Sequence, residues 1–235
     1  MTWLTLLRKV TKLTKVGRMG TVERRERERS ETREKILAAA RELFAKEGYE
    51  AVSMRKIAEA IEYSPTAIYV HFRDKRALID ELCRVDFGAM TQDFQFARGI
   101  LDPIERLRVL GQGYVQFAVA RPNHFRLLFL TPGVHPQALS AADVEQQGDP
   151  NQDGYAILQS TVREGIEQGR FRPKYEGDVE LISQTFWAGV HGVASIQVVK
   201  HDDPWLKLAP LERRVKVMID SLIRGMTVAK KGGMP

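Results

Sequence analysis

The chain has 235 residues, 43 % of them hydrophobic and 28 % charged, with a formal net charge of +6 at pH 7. That length suits one domain or two and that balance suits a packed core, which excludes a wholly disordered chain. A single cysteine, Cys83, excludes an intramolecular disulfide framework and a multi-cysteine zinc site. No apolar run reaches about 18 residues without charges or turn formers, so a cytoplasmic protein with no membrane span is expected.

The charge is unevenly placed. Residues 1–29 hold nine Lys/Arg against three Glu, residues 30–80 hold nine of each sign, and residues 81–235 hold eighteen of each. The excess sits in the first 29 residues, which read as a basic, disordered arm. A chain wrapped by nucleic acid over its whole surface is excluded, and any contact with DNA has to be local. Within the arm, Trp3, Leu6, Leu7, Val10 and Leu13 recur at helical spacing opposite Arg8, Lys9, Lys12 and Lys15. This cationic amphipathic pattern suits a membrane surface or a partner; the alternative is that translation starts at Met19. The run from Glu23 to Arg29 reads either as a solvated arm or helix extension or as a phosphate-contacting arm.

Ser30 caps a helix expected over 31–47, with Glu31 and Glu34 at its positive end, an apolar stripe of Ile36, Leu37, Ala40, Leu43 and Phe44, and Gly48 as its stop. Ser53 opens a second helix, Met54 to Ile61, with Ile57, Ala58 and Ile61 on one face. After three residues Ser64-Pro65 repeats the start signal for a third, with Ile68, Tyr69 and Phe72 inward, and Asp74 caps a fourth from Lys75. Two short helices after a longer one make a helix-turn-helix. The outer face of the third, Pro65, Thr66, Ala67 and Val70, is small enough to enter a DNA major groove about 12 Å wide.

The remaining pattern is all-α. Helices are expected over 75–97, 103–120, 122–130, 152–168, 176–200 and 210–229, with a loop over 131–150. The aromatic residues Phe94, Tyr114, Phe117, Phe125, Phe129 and Trp187 either fill the core or line an apolar cavity, with Tyr114, His124 and His191 as its polar groups. Gly189, Gly192 and Ser195 thin one side of their helix. Paired with Ile219, Leu222, Ile223 and Met226, they point either to a dimer face built of two helices from each chain or to a helix contact within one chain. The five histidines lack metal-ligand spacing, Gly111 and Gly113 lie inside a helical pattern, and Cys83 reads as a packed thiol, so no catalysis, metal or cofactor is expected.

From Thr32 to Leu78 the string TREKILAAARELFAKEGYEAVSMRKIAEAIEYSPTAIYVHFRDKRAL resembles the DNA-binding domain of the TetR (tetracycline repressor) family. The resemblance implies a helix-turn-helix head over 30–78 and a helical ligand-binding and dimerisation domain over 79–230. It implies phosphate contacts from Ser53 and Arg55, base-edge contacts from Ser64, Pro65, Thr66 and Ala67, and further phosphate contacts from Tyr69, His71 and Lys75. One position departs: where the family usually has glycine in the turn, this chain has Glu62. FWAGVHGVASI, residues 186–196, resembles the Trp-x-x-x-His-Gly (WHG) signature of one class of TetR C-terminal domains. The function implied is a homodimeric repressor released from a near-palindromic double-stranded DNA operator by a small apolar effector. An activator of the same fold, or a membrane-surface or protein-interaction module using the amphipathic tail, is the alternative.

Overall fold

The computed structural model describes residues 20–132, 134, 148–175 and 177–228. The amphipathic stretch from Trp3 to Lys15 and most of the expected loop over 131–150 lie outside the described residues. Among those described, regular structure is helical apart from a lone bridge between Phe171 and Thr227. The all-α expectation holds.

The head consists of α1 (Thr21–Glu47), α2 (Met54–Ala60) and α3 (Pro65–Tyr69). Ser53, Ser64 and Asp74 each accept a hydrogen bond from a first-turn amide, at Lys56, Ala67 and Ala77, so the three predicted caps form. Ile36, Ala40, Phe44, Ile57, Ala58 and Ile68 are fully buried where the three helices meet. Helix α1 begins ten residues before the expected start. Its early turns carry Arg24–Glu28 and Arg27–Glu31 pairs at i,i+4, which support a helix where composition alone suggested a disordered arm.

The body is α4 (Lys75–Phe94), α5 (Pro103–Ala120), α6 (Pro122–Phe125, continuing as a π-turn over Arg126–Leu130), α7 (Gly154–Glu167), α8 (Val179–Lys200) and α9 (Leu211–Met226). The expected helix over 75–97 breaks earlier, passing into a 3-10 turn at Gln95. Asp102, Asp153 and Asp178 cap α5, α7 and α8. Helix α5 crosses α8 and α9 at Gly111, where an added Cβ would stand 3.0 Å from both Ile219 and Phe186. Glycine lets the three backbones close there.

Helix α4 runs from head to body and carries the polar tie between them. Asp86, with no exposed surface, accepts three hydrogen bonds of 2.7–3.2 Å from the Arg41 guanidinium of α1. The His124 ring of α6 stands on its other side, with Nδ1 3.0 Å from Oδ1. Burial alone would raise the Asp86 pKa; the close approach of His124, the hydrogen bonds from Arg41 and the charge on Arg41 outweigh it and hold the carboxyl below its ordinary value.

Candidate functional site

The turn between α2 and α3 sets the angle of the third helix. The Tyr63 amide donates to the Ala58 carbonyl at 2.9 Å and the Glu62 amide to the Glu59 carbonyl at 3.2 Å. This is the Schellman pattern, which places Glu62 at the position needing a left-handed backbone, and its φ is +60°. The glutamate occupies the place where glycine would be unstrained, as its position in the sequence implies.

Helix α3 turns Ser64, Pro65 and Thr66 to solvent, with Ala67 half-buried, while Ile68 anchors it from beneath. Tyr69 and Val70 are 53 % and 65 % exposed, large surfaces for an aromatic and a β-branched side chain on a domain this small. Ser53 and Arg55 lie exposed at the start of α2, Arg55 in a surface pair with Glu59. His71 is half-buried at the end of α3, its pKa lowered by burial and then by the positive charges of Arg29 and Arg33.

Lys75 is placed otherwise. Its ammonium donates to the Tyr49 and Val52 carbonyls at 2.9 and 3.0 Å and sits 4.1 Å from the centre of the Tyr49 ring. These contacts tie α4 to the turn after α1, so Lys75 acts inside the head rather than standing free toward a phosphate. Of the eight other residues expected on this surface, Ser53, Arg55, Ser64, Pro65, Thr66 and Tyr69 are exposed and Ala67 and His71 are half-buried.

In the body, five of the eight residues expected at a cavity come together. Tyr114, Phe125, Phe129, Trp187 and His191 stack with ring centres 5.1–6.2 Å apart. Tyr114 and Phe125 form a buried floor, while Phe129, Trp187 and His191 are half-buried at the rim. Two more rings join: Tyr155 of α7 meets Trp187, and Phe87 of α4 meets Phe129 edge-on at 5.9 Å. Neither Tyr155 nor Phe87 stands among the cavity residues expected from the sequence.

The other three expected cavity residues lie elsewhere. Phe94 packs beside Gly113 and Gly154, Phe117 lies beneath Arg121, and His124 faces Asp86. Their burial fits the helical stripe, but they point away from the ring cluster.

The cluster contains one directed polar chain. The Tyr114 hydroxyl lies 2.8 Å from His191 Nδ1. Burial lowers the His191 pKa and raises that of Tyr114, so at neutral pH the imidazole is uncharged and the phenol keeps its proton. Tyr114 then donates to Nδ1, which leaves the His191 proton on Nε2. Cys83 is buried, its thiol pushed up to about 12, and is inert as a nucleophile.

The expected dimer residues divide in two. Ile219, Ile223 and Met226 are buried in the chain's own core, and a Cβ on Gly189 would stand 2.5 Å from Leu222 of the same chain. That part of the apolar pattern is the intrachain contact between α8 and α9. Gly192 has no neighbouring atom within 4 Å of an added Cβ, and Ser195 is half-buried beside it. They border a different stripe, Leu181, Ala188, Ile196 and Val199, which is open to solvent along α8.

A capped helix-turn-helix with an exposed third helix, set on a helical body, defines a DNA-binding regulator. Residues 36–82 match the family described as bacterial regulatory proteins, tetR family, and residues 107–222 match the tetracyclin repressor-like C-terminal domain. The chain belongs to the TetR family, whose members are regulators and not enzymes. It is 28 % identical to the transcriptional repressor KstR2 of Mycobacterium tuberculosis over 164 residues, 67 % of this chain and 79 % of that protein. It is 37 % identical to the repressor AcnR of Corynebacterium efficiens over 81 residues, 32 % and 43 % of the two chains.

Among solved structures, FadR of Bacillus subtilis in complex with stearoyl-CoA aligns with a TM-score of 0.63 at 19 % identity, covering 81 % of this chain and 97 % of that one. A TetR-family regulator of Marinobacter aquaeolei aligns at 0.67 with 16 % identity, covering 87 % and 100 %. Both likenesses are of fold. Among the described residues no helix is long and apolar enough to cross a membrane, and no group of three His, Cys, Asp or Glu could hold a metal ion.

Proposed function

We propose that this regulator acts in the cytoplasm as a homodimeric repressor whose hold on DNA is released by a small, largely apolar effector. Ser64, Pro65, Thr66 and Ala67 face base edges in the major groove, while Ser53, Arg55, Tyr69 and His71 meet phosphates on either side. A twofold pair presents two α3 helices to half-sites about 34–36 Å apart or a multiple of it, so the operator is near-palindromic. The exposed stripe Leu181, Ala188, Ile196 and Val199 of α8, bordered by Gly192, is the face offered to the second copy.

The observation that carries the effector reading is the adjacency of two contacts on α4. Phe87 forms the edge of the ring cluster and Asp86, its neighbour in sequence, holds Arg41 of the head. An apolar molecule entering at the half-buried rim parts Phe129 from Phe87, and α4 carries the displacement to α1. His191 Nε2–H offers a donor to a carbonyl or other acceptor on the effector. The FadR structure with stearoyl-CoA supports an acyl-bearing ligand as one chemistry to try. A coupling of about 1–3 kcal/mol changes DNA affinity roughly 5–150-fold.

The test is selection of bound fragments from a random DNA pool at about 0.1 M salt, followed by release with a panel of long-chain acyl compounds. Enrichment of an inverted repeat that one compound class then releases is the expected result. A pool that stays random sinks the DNA reading, and an enriched repeat released by none of the compounds sinks the effector reading.

A further inference from the structure

Helix α1 extends well beyond what the three-helix head needs. Its first fifteen residues, 21–35, precede the stretch matched to the family, and at 1.5 Å per residue they add about 22 Å of helix. The charges on this extension are sorted by face. Arg24 pairs with Glu28 and Arg27 with Glu31 on the side away from α3, and the Glu23 carboxylate accepts from the Gly20 amide at 3.0 Å. The other side carries Arg25, Glu26, Arg29, Ser30 and Arg33. Arg25 and Arg29 have no ion-pair partner among the described residues, and both are exposed.

This basic side is not remote from α3. Glu26, Arg29, Ser30, Arg33 and His71 line one shallow groove of about 340 Å³, so the extension lies against the end of that helix. Arg33 holds the junction, its guanidinium 5.0 Å from the centre of the Phe72 ring and 2.8 Å from Glu81. His71 Nδ1 is buried there without a partner. Tyr69, Val70, His71, Arg29 and Arg25 therefore follow one another across a single surface. The two free arginines are one helical turn, about 6 Å, apart.

We propose that the extension of α1 is a second DNA-contacting element, with Arg25 and Arg29 neutralising backbone phosphates that flank the bases facing α3. It rests on the DNA-binding reading above and adds affinity without sequence preference, since a phosphate carries no base identity. Glu26 is the one acidic group in the groove and opposes the contact.

The experiment measures binding of the full chain to a random-sequence duplex of about three helical turns (~30 bp) across a salt series. Each phosphate contact contributes about 0.9 to the slope of log affinity against log salt, so Arg25→Ala/Arg29→Ala lowers the slope by about 1.8. Between about 50 and 200 mM salt the wild type then loses roughly 12-fold more affinity than the variant. Arg25→Lys/Arg29→Lys retains the wild-type slope, and Glu26→Gln binds more tightly at every salt concentration. All three variants keep the wild-type melting temperature, because the altered side chains are exposed.

An unchanged slope in the double alanine variant, with the wild type binding normally, overturns the proposal and leaves the DNA reading standing. A wild type that ignores the duplex at low salt overturns both. Loss of binding to anionic vesicles with duplex binding untouched assigns the stripe to a lipid surface and also overturns it.

Discussion

The tie between head and body can be broken at Asp86. Asp86→Ala removes a carboxylate that has no exposed surface and strands the Arg41 guanidinium, whose side chain is 13 % exposed, beside the His124 ring. Stranding one partner of a buried pair costs about 3–5 kcal/mol, because the remaining charge has lost both water and counter-charge. At roughly 2–4 °C per kcal/mol for a chain of this size, the melting midpoint falls by about 6–20 °C.

Replacing both partners, as in Arg41→Met/Asp86→Leu, leaves no stranded charge and restores most of that loss. The folded Asp86 pKa lies below the unfolded value of about 3.9, so the carboxylate's contribution is complete above that value and fades as pH falls through the lower folded one. Thermal melts followed by circular dichroism from neutral to acid pH make the comparison. A single variant that melts within about 1 °C of the wild type, or a double variant as damaged as the single, refutes the buried-pair reasoning. The double variant is also expected to bind DNA yet respond weakly to effector.

Three further outcomes follow from other sites. Lys75→Met removes two hydrogen bonds from a charged donor and lowers stability by about 1.5–3 kcal/mol in urea unfolding, while the salt slope of DNA binding stays at the wild-type value. Glu62→Gly relieves a left-handed strain of about 1–2 kcal/mol against an unfolded-chain entropy loss of about 0.4–1, for a net gain near 1 kcal/mol by the same measurement. His191 and His71 both have folded pKa values below the ordinary histidine value, so the unfolded chain binds protons first and stability declines as pH drops below about 6.5. His191→Gln removes part of that decline in melts from pH 8 to 5, and a decline identical to the wild type's counts against the neutral imidazole.

The head was legible because its signals are local. Ser53, Ser64 and Asp74 each cap the helix that follows them in sequence, and Glu62 declared its strain by standing where the turn wants glycine. The alternating charges before Ser30 fit a solvated arm and a helix extension equally well, and i,i+4 pairing set against the helix geometry decides for the helix. Lys75 was misplaced because a lysine near a DNA-reading helix looks free until the carbonyls of Tyr49 and Val52 are known to converge on it.

In the body, helix periodicity identified apolar stripes but not what covers them. Ile219, Ile223 and Met226 satisfy a dimer stripe and an internal one equally well, and the bundle buries them internally. Phe94, Phe117 and His124 carry the same aromatic signal in sequence as Tyr114 and Phe125, but which neighbours they meet depends on crossings fixed by distant residues such as Gly111. The Asp86–Arg41 pair spans 45 positions and left no local signature at all.

The base-reading role of the α3 face is tested most directly by one ratio: affinity for a selected duplex over affinity for a scrambled duplex of equal length, in wild type and in Thr66→Ala. Thr66 is exposed and contributes nothing to the core, so the fold is unaffected. Loss of a base-edge contact worth about 1 kcal/mol or more lowers the ratio at least roughly 5-fold while binding to the scrambled duplex is kept. An unchanged ratio, with both affinities intact, would mean that α3 does not face the bases.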